Sequence, residues 1–474
     1  MSPTLQSTDV LADLWRQAGL PADALALSQL TGREPVLPSS FAVGTAAQST
    51  IAAAALAACE VGHQRGAARQ GVGVDMQHAA VECTGWFAID GREPELWDAF
   101  SGLYRCADGH VRIHANFRHH REGALRLLGL DPATAQRADA ERALLGWKAL
   151  DYEDAAAAQG LVVTAMRRFA DWDATPQGRA VAAQPLFTLE RIGDAAPLPL
   201  PPLSDADRPL TGVRVLDLTR ILAGPVGGRA LAAYGADVLL VNSPNLPNIE
   251  AIADTSRGKL SAHADLRSDA GRAALVRLLA DAHVFVQGYR PGGLAGLGFG
   301  PAELARHRPG IVCVSLTAYG TQGPWAARRG FDSLVQTAMG FNHAEGEAAD
   351  DGKPRPMPVQ ILDEATGYLI AFAAAAALWR QQREGGSWHV QLSLAQTGHW
   401  LRSLGRVADG QACARPNLRD WAETSASGFG VLDAIRHSAV LSRTPAAWPR
   451  PSMPPGSHGC VWPPVGTGVA GTAH

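Results

Sequence analysis

Apolar positions fall along the chain in patterns that separate strands from helices. Val213, Val215, Leu216 and Leu218 form one short run and Val238 to Val241 another, as expected of parallel strands buried on both faces. Between them Ala223-Gly224-Pro225 ends the first run, an Ala/Leu-rich helix reaches Ala233, and Tyr234-Gly235-Ala236-Asp237 turns the chain into the second. Strand, helix and strand in that order predict a doubly wound α/β domain. Two long alanine-rich stretches, Phe41 to Ala58 and the one beginning near Ala365, read as helices. Gly71 to Met76 reads as a short strand before a helix around Ala79 to Phe87, and Leu103 to His114, with Asp108-Gly109 at its centre, as a hairpin.

These patterns divide the chain. Residues 1–38 read as a helical lead-in with Leu11, Leu14 and Trp15 at helical spacing, and 39–196 as a first half. Residues 197–208 are a proline-rich linker, 209–400 an α/β half, and 401–474 a closing segment whose last part, Trp448 to His474, reads as an extended or disordered tail. The two halves echo each other. Ala42-Val43-Gly44-Thr45, an alanine helix and the strand near Val72 parallel Ile361-Leu362-Asp363-Glu364, an alanine helix and the run Trp388 to Leu394. Thr45 stands where the second copy has Asp363.

Composition narrows the function. A net charge of −3 supplies no basic field for nucleic acid or an anionic membrane. The six cysteines show no paired spacing, which argues against a disulfide framework or a zinc site and fits a reducing, cytoplasmic setting. No secretory leader is read at the N-terminus, and the apolar run Tyr368 to Trp379 is too short to span a bilayer. The turn Ala223 to Gly228 lacks the glycine spacing of a nicotinamide dehydrogenase.

The order of motifs from Pro209 onward resembles the family III CoA-transferases (CaiB/BaiF type). These motifs are Leu216-Asp217-Leu218-Thr219-Arg220, Ala223-Gly224-Pro225, Gly235-Ala236-Asp237, Arg257-Gly258-Lys259, Arg290-Pro291-Gly292, Gly323-Pro324, Phe331-Asp332 and Asp363 with Thr366-Gly367. The first half resembles the later portion of the same family, so the chain reads as a permuted or partly duplicated member. The resemblance implies an α/β fold: a Rossmann-like large domain with a doubly wound parallel sheet, and a smaller α+β domain. It implies transfer of CoA from an acyl-CoA to a carboxylic acid through an aspartyl-CoA thioester. CoA and acyl-CoA enter as substrates, with no permanently bound cofactor and no metal. A homodimer, or a heteromer with another family member, is expected.

By the same resemblance Asp363 is the nucleophile. Leu222, Ala223, Arg257, Lys259, Arg267, Tyr289 and Arg329 fall at positions expected to contact CoA. Its phosphates call for cations and backbone N–H groups. A carboxylate ahead of a helix also gains from the N–H groups there, which favour its ionised form; an aspartate is equally a preferred helix cap. Several positions depart from the family. Asn242-Ser243 replaces a glutamate and an often basic residue, Gly288 an asparagine and Gly296 an arginine. Phe331 stands where the racemases of the family carry a histidine, which disfavours proton transfer at an α-carbon. These departures, with Thr45, keep open a second reading: a non-catalytic CoA-binding homologue that partners an intact member.

Overall fold

The computed structural model describes residues 4–463. Seven strands join in one sheet: β1 (Phe187–Gly193), β2 (Arg214–Leu218), β3 (Asp237–Asn242), β4 (Leu260–His263), β5 (Val284–Gln287), β6 (Val312–Thr317) and β7 (Ser387–Ser393). Their order across the sheet is β4-β3-β2-β5-β6-β7-β1. β2 to β7 are parallel, and β1 adds antiparallel to the edge of β7. The parallel strands carry buried residues on both faces, among them Val215, Leu216, Val238, Leu239, Phe285, Val286, Val312 and Val314, hence their unbroken apolar text. After β4 the chain returns to the other side of β2 to lay down β5. That reversal leaves a crevice beyond the carboxyl ends of β2 and β5, where doubly wound sheets take their ligands.

Three helices make the core beside the sheet: α1 (Val43–Gln64), α2 (Ala223–Ala233) and α3 (Ile361–Glu384). α3 packs against both α1 and α2. Small residues permit the approach: a Cβ at Gly367 would stand 2.7 Å from the Ala223 carbonyl oxygen, and one at Gly227 2.9 Å from that of Gly367. α3 is long and apolar enough to cross a membrane by length and composition, yet its apolar window is wholly buried inside the protein. It is a core helix clad by other helices.

The hairpin pairs Gly102–Arg105 with His110–Ile113, and Val163–Ala165 adds a third strand. With the helices Arg118–Leu127, Arg137–Leu144 and Ala149–Ala158 it encloses a separate core around Tyr104, Val111, Leu125, Leu144 and Tyr152.

The structure redraws the expected boundaries. Residues 39–196 are not one unit. α1 joins the large core because both its flanks are alanine and need cover, Phe87–Ile89 pairs with Gly430–Ile435, and β1 completes the large sheet. Nor is 1–38 only a lead-in: Leu11, Leu14 and Trp15 are buried in the large core, Trp15 against Phe372 with ring centroids 6.1 Å apart. Ser28–Thr31 joins Val72–Asp75 and Ala439–Leu441 in a three-stranded sheet. Residues 448–463 form an ordered strap rather than a loose tail. The Trp448 indole donates to the Arg229 carbonyl at 2.9 Å, the Ser261 backbone N–H to His458 Nδ1 at 3.0 Å, and the Trp462 indole to the Leu278 carbonyl at 2.9 Å. The proline-rich segment forms neither helix nor strand and is held by its tryptophans. The remainder of that expected tail, 464–474, lies outside the described residues.

Candidate active site

Two cavities adjoin at the crevice between β2 and β5. The first, of about 310 Å³, is lined by the carboxyl ends of β2, β5 and β6 through Leu218, Gly288 and Thr317, and by Arg220, Tyr289, Arg290, Arg328 and Arg329. The second, of about 590 Å³, holds Leu222, Asp332, Asp363 and Glu364 on the large-domain side and Trp97, His114 and Asn116 on the other. Phe117, Ile221 and Phe331 border both. Ile221 has φ 76°, a conformation a β-branched residue rarely adopts, in the turn that separates the cavities.

The first cavity is cationic by construction. Arg220, Arg290 and Arg329 have no carboxylate partner among the described residues; Arg220 donates to the Pro247 carbonyl and Arg329 lies 3.1 Å from His120 Nε2. Arg328 is partly spent: it lies 3.4 Å from Glu153 and over the Trp325 ring. Burial lowers the pKa of Arg220, and burial with the neighbouring Arg290 lowers that of Arg329. Each charge is therefore held at some cost that an anionic ligand would relieve. Burial and the charges around it push the His120 imidazole down to about 3, leaving it neutral beside Arg329.

The second cavity is acidic. Asp363 is the third residue of α3, one turn deeper than a cap; the residue before the helix is Gln360, whose side chain caps nothing. The backbone N–H of Asp363 donates to Asp332 Oδ2 at 2.9 Å. The residue is 8% exposed and lines the cleft. The expected gain from helix N–H groups is overturned. Burial, reinforced by the Asp332 charge, raises the Asp363 pKa well above the ordinary carboxylate range. Burial also raises Asp332, to about 6, against the hydrogen bonds it accepts from the Asp363 backbone and Gln336. Glu364 is raised as well, again by burial first.

The expected contacts separate into three groups. Tyr289 and Arg329 line the cationic cavity, while Leu222 lines the acidic one; Ala223 sits buried beneath Leu222 as the first residue of α2. Arg257 and Lys259 contact neither cavity. Lys259 is wholly buried, its Nζ 2.8 Å from Asp217 Oδ2 and 2.7 Å from the Pro225 carbonyl. A charge so deep requires a partner, and Gly228 leaves room for the pair: a Cβ there would fall 2.2 Å from Asp217 Oδ2. Arg257 is buried too, paired with Asp254, donating to the Ile435 carbonyl at 2.9 Å and stacked 3.9 Å over Trp448. It clamps the closing segment. Arg267 is exposed, chelated by Asp265 at 3.0 Å, and outside both cavities. Arg220 and Arg290 take the places these were expected to fill. Both stood inside the recognised motifs, at the carboxyl ends of strands where ligands gather. His114 and Asn116 carried no signal, because the small-domain hairpin reaches the cleft only through tertiary packing.

Comparison with known proteins finds a family likeness in the α/β half. Residues 210–420 match CoA-transferase family III. The chain is 35% identical over 254 residues to the succinate–glutarate CoA-transferase of Agrobacterium fabrum, covering 47% of this chain and 62% of that protein. It is 33% identical over 235 residues to Rv3272 of Mycobacterium tuberculosis, covering 45% and 59%. A solved structure of Rv3272 aligns over 42% of this chain and 58% of its own with a TM-score of 0.39. A CaiB/BaiF family protein from Brucella suis, 29% identical, aligns over 48% and 65% with a TM-score of 0.38. The chain thus spans roughly three fifths of the length of these two relatives, and the sequence carries the likeness. Over residues 210–420 it is similar to CoA-transferase family III.

Proposed function

We propose that the protein is a CoA-transferase that carries CoA from an acyl-CoA to a carboxylic acid through Asp363. The observation that supports this most is the adjacency of the two cavities. Unpaired arginines at the sheet's switch point suit the phosphates of CoA, and the Ile221 turn leads from them to an accessible carboxyl in the first turn of α3.

The reaction is a pair of exchanges. An ionised Asp363 oxygen attacks the thioester carbonyl, the C–S bond breaks, and CoA leaves as thiolate with an acyl–aspartyl anhydride behind. The thiolate attacks the Asp363 carbonyl carbon and expels the acyl group as a carboxylate, leaving the aspartyl-CoA thioester. An acceptor carboxylate then attacks that thioester to give a second anhydride and thiolate. The thiolate takes the acceptor's acyl carbon and restores Asp363. Asp332 acts on the nucleophile's main chain: its hydrogen bond fixes the backbone of Asp363, and its charge sets how readily the Asp363 proton leaves. Association with a second copy or another family member is part of the same proposal, to be read from solution mass.

Asp363→Asn tests the function. The variant should bind CoA as the wild type does, since the arginines are untouched, and should transfer none of it. Near wild-type transfer by the variant would end the proposal. A wild type that binds CoA and transfers to no acid would favour the non-catalytic homologue.

A further inference from the structure

Charge divides the two cavities more sharply than the transfer chemistry requires. The acidic side chains lining the second are Glu95, Asp98, Glu250, Asp332, Asp363 and Glu364; among the described residues no lysine or arginine lines it. Asp98 alone of the rim acids has a cationic partner, Arg121 at 2.8 Å, while Glu95 and Glu250 are exposed. Arg112 stands behind, 5.4 Å over the Trp97 ring and buried. The cleft also contains polar atoms with nothing to bond. Glu364 Oε2, His114 Nδ1 and Ser333 Oγ are buried and unpartnered, on side chains that are 1%, 6% and 1% exposed. Unsatisfied buried groups around a cavity of about 590 Å³ mark a place where a ligand supplies the missing partners.

We infer that the acyl group handled at Asp363 bears a positive charge, an ammonium at the end remote from its carboxylate, and that dicarboxylic acids are rejected. The inference rests on the transfer reading for its reaction but on the cleft alone for its selectivity. A second carboxylate would pass the exposed Glu95 and Glu250 and then meet buried carboxyl groups whose ionisation is already opposed, with no lysine or arginine among the lining residues to receive it. An ammonium would find Glu364 Oε2 as an acceptor and Trp97 as an aromatic wall. Burial raises the Glu364 pKa against the pull of the Arg229 charge, and Arg229 is itself paired with Asp254, so a ligand cation in the cleft would add what that arginine does not supply.

Calorimetric titration in saturating CoA tests it with three acids of similar length: 4-aminobutanoate, butanoate and glutarate. The aminated acid should bind at least tenfold more tightly than glutarate, with butanoate between. Glu250→Lys, at the exposed rim, should shrink the preference severalfold. Glutarate binding as tightly as 4-aminobutanoate, or no measurable binding of any of the three, would overturn the inference. Transfer assayed on the same acids separates the two ideas. The expected order of binding without transfer would count against the CoA-transfer reading alone, while efficient transfer to glutarate would refute the selectivity and leave transfer standing.

Discussion

The backbone N–H of Asp363 donates to the carboxylate of Asp332 across 2.9 Å, so the proposed nucleophile is held by the group that most opposes its ionisation after burial itself. The same construction recurs in the first half. Thr45 is the third residue of α1, as Asp363 is of α3, and its backbone N–H donates to Glu34 Oε1 at 2.7 Å. The internal echo therefore extends to an anchoring carboxylate that the helix text does not contain. The residue before α1 is Ala42, and the Thr45 hydroxyl does not cap the helix.

Removing the Asp332 charge should make Asp363 easier to ionise. In Asp332→Asn the amide oxygen can still accept the Asp363 N–H, while the like charge is gone. Transfer needs the ionised nucleophile, so the rise of kcat/KM with pH should move to lower pH. A profile whose acid limb stays in place would show that Asp332 does not tune Asp363.

Stability carries the same signature with its own sign. The Asp363 carboxyl holds its proton more tightly folded than unfolded. Its contribution is fully present below the unfolded value near 4 and is lost as pH rises toward the folded pKa. Asparagine has no proton to lose. Asp363→Asn should match the wild type in denaturation midpoint near pH 4 and exceed it at pH 8; a variant less stable at pH 8 would contradict the buried-acid description.

A basic residue of the expected set should separate from one outside it. Lys259→Met breaks a buried pair and strands Asp217, at about 3–5 kcal/mol. Arg290→Ala removes an exposed side chain, so stability should stay within about 0.5 kcal/mol. Its CoA affinity should fall about tenfold or more, the loss of a hydrogen bond to a charged group. Thermal melts beside calorimetry decide this, and tight CoA binding by Arg290→Ala would remove it from the site.

The reason for that reversal is a limit on what sequence can carry. The parallel strands were legible because burial on both faces writes a continuous apolar run, whereas Asp363 stood out only through the family resemblance, its local text being equally that of a helix cap. Arg257 and Lys259 read as ligand contacts because their partners, Asp254, Asp217 and Trp448, meet them only in the fold. β1 went unread: as an edge strand it alternates burial weakly, with Glu190 and Arg191 exposed. The strap at 448–463 looked disordered because proline and glycine dominate its composition, whereas its placement depends on Trp448 and Trp462.

The strap makes its own prediction. Trp448→Ala would remove the face on which Arg257 stacks and the hydrogen bond to the Arg229 carbonyl, at about 3–5 kcal/mol. Amide exchange should rise first across 435–463 and in α2. Uniform exchange throughout the protein would show that the strap is not a separable clamp.

The most direct measurement is peptide mapping after trapping. The protein is incubated with an acyl-CoA it accepts, treated with hydroxylamine or borohydride, digested and analysed by mass spectrometry, with Asp363→Asn in parallel. The aspartyl-CoA mechanism predicts modification of the Asp363 side chain in the wild type and none in the variant. Turnover of acyl-CoA with Asp363 unmodified, or a label on another residue that persists in Asp363→Asn, would contradict it.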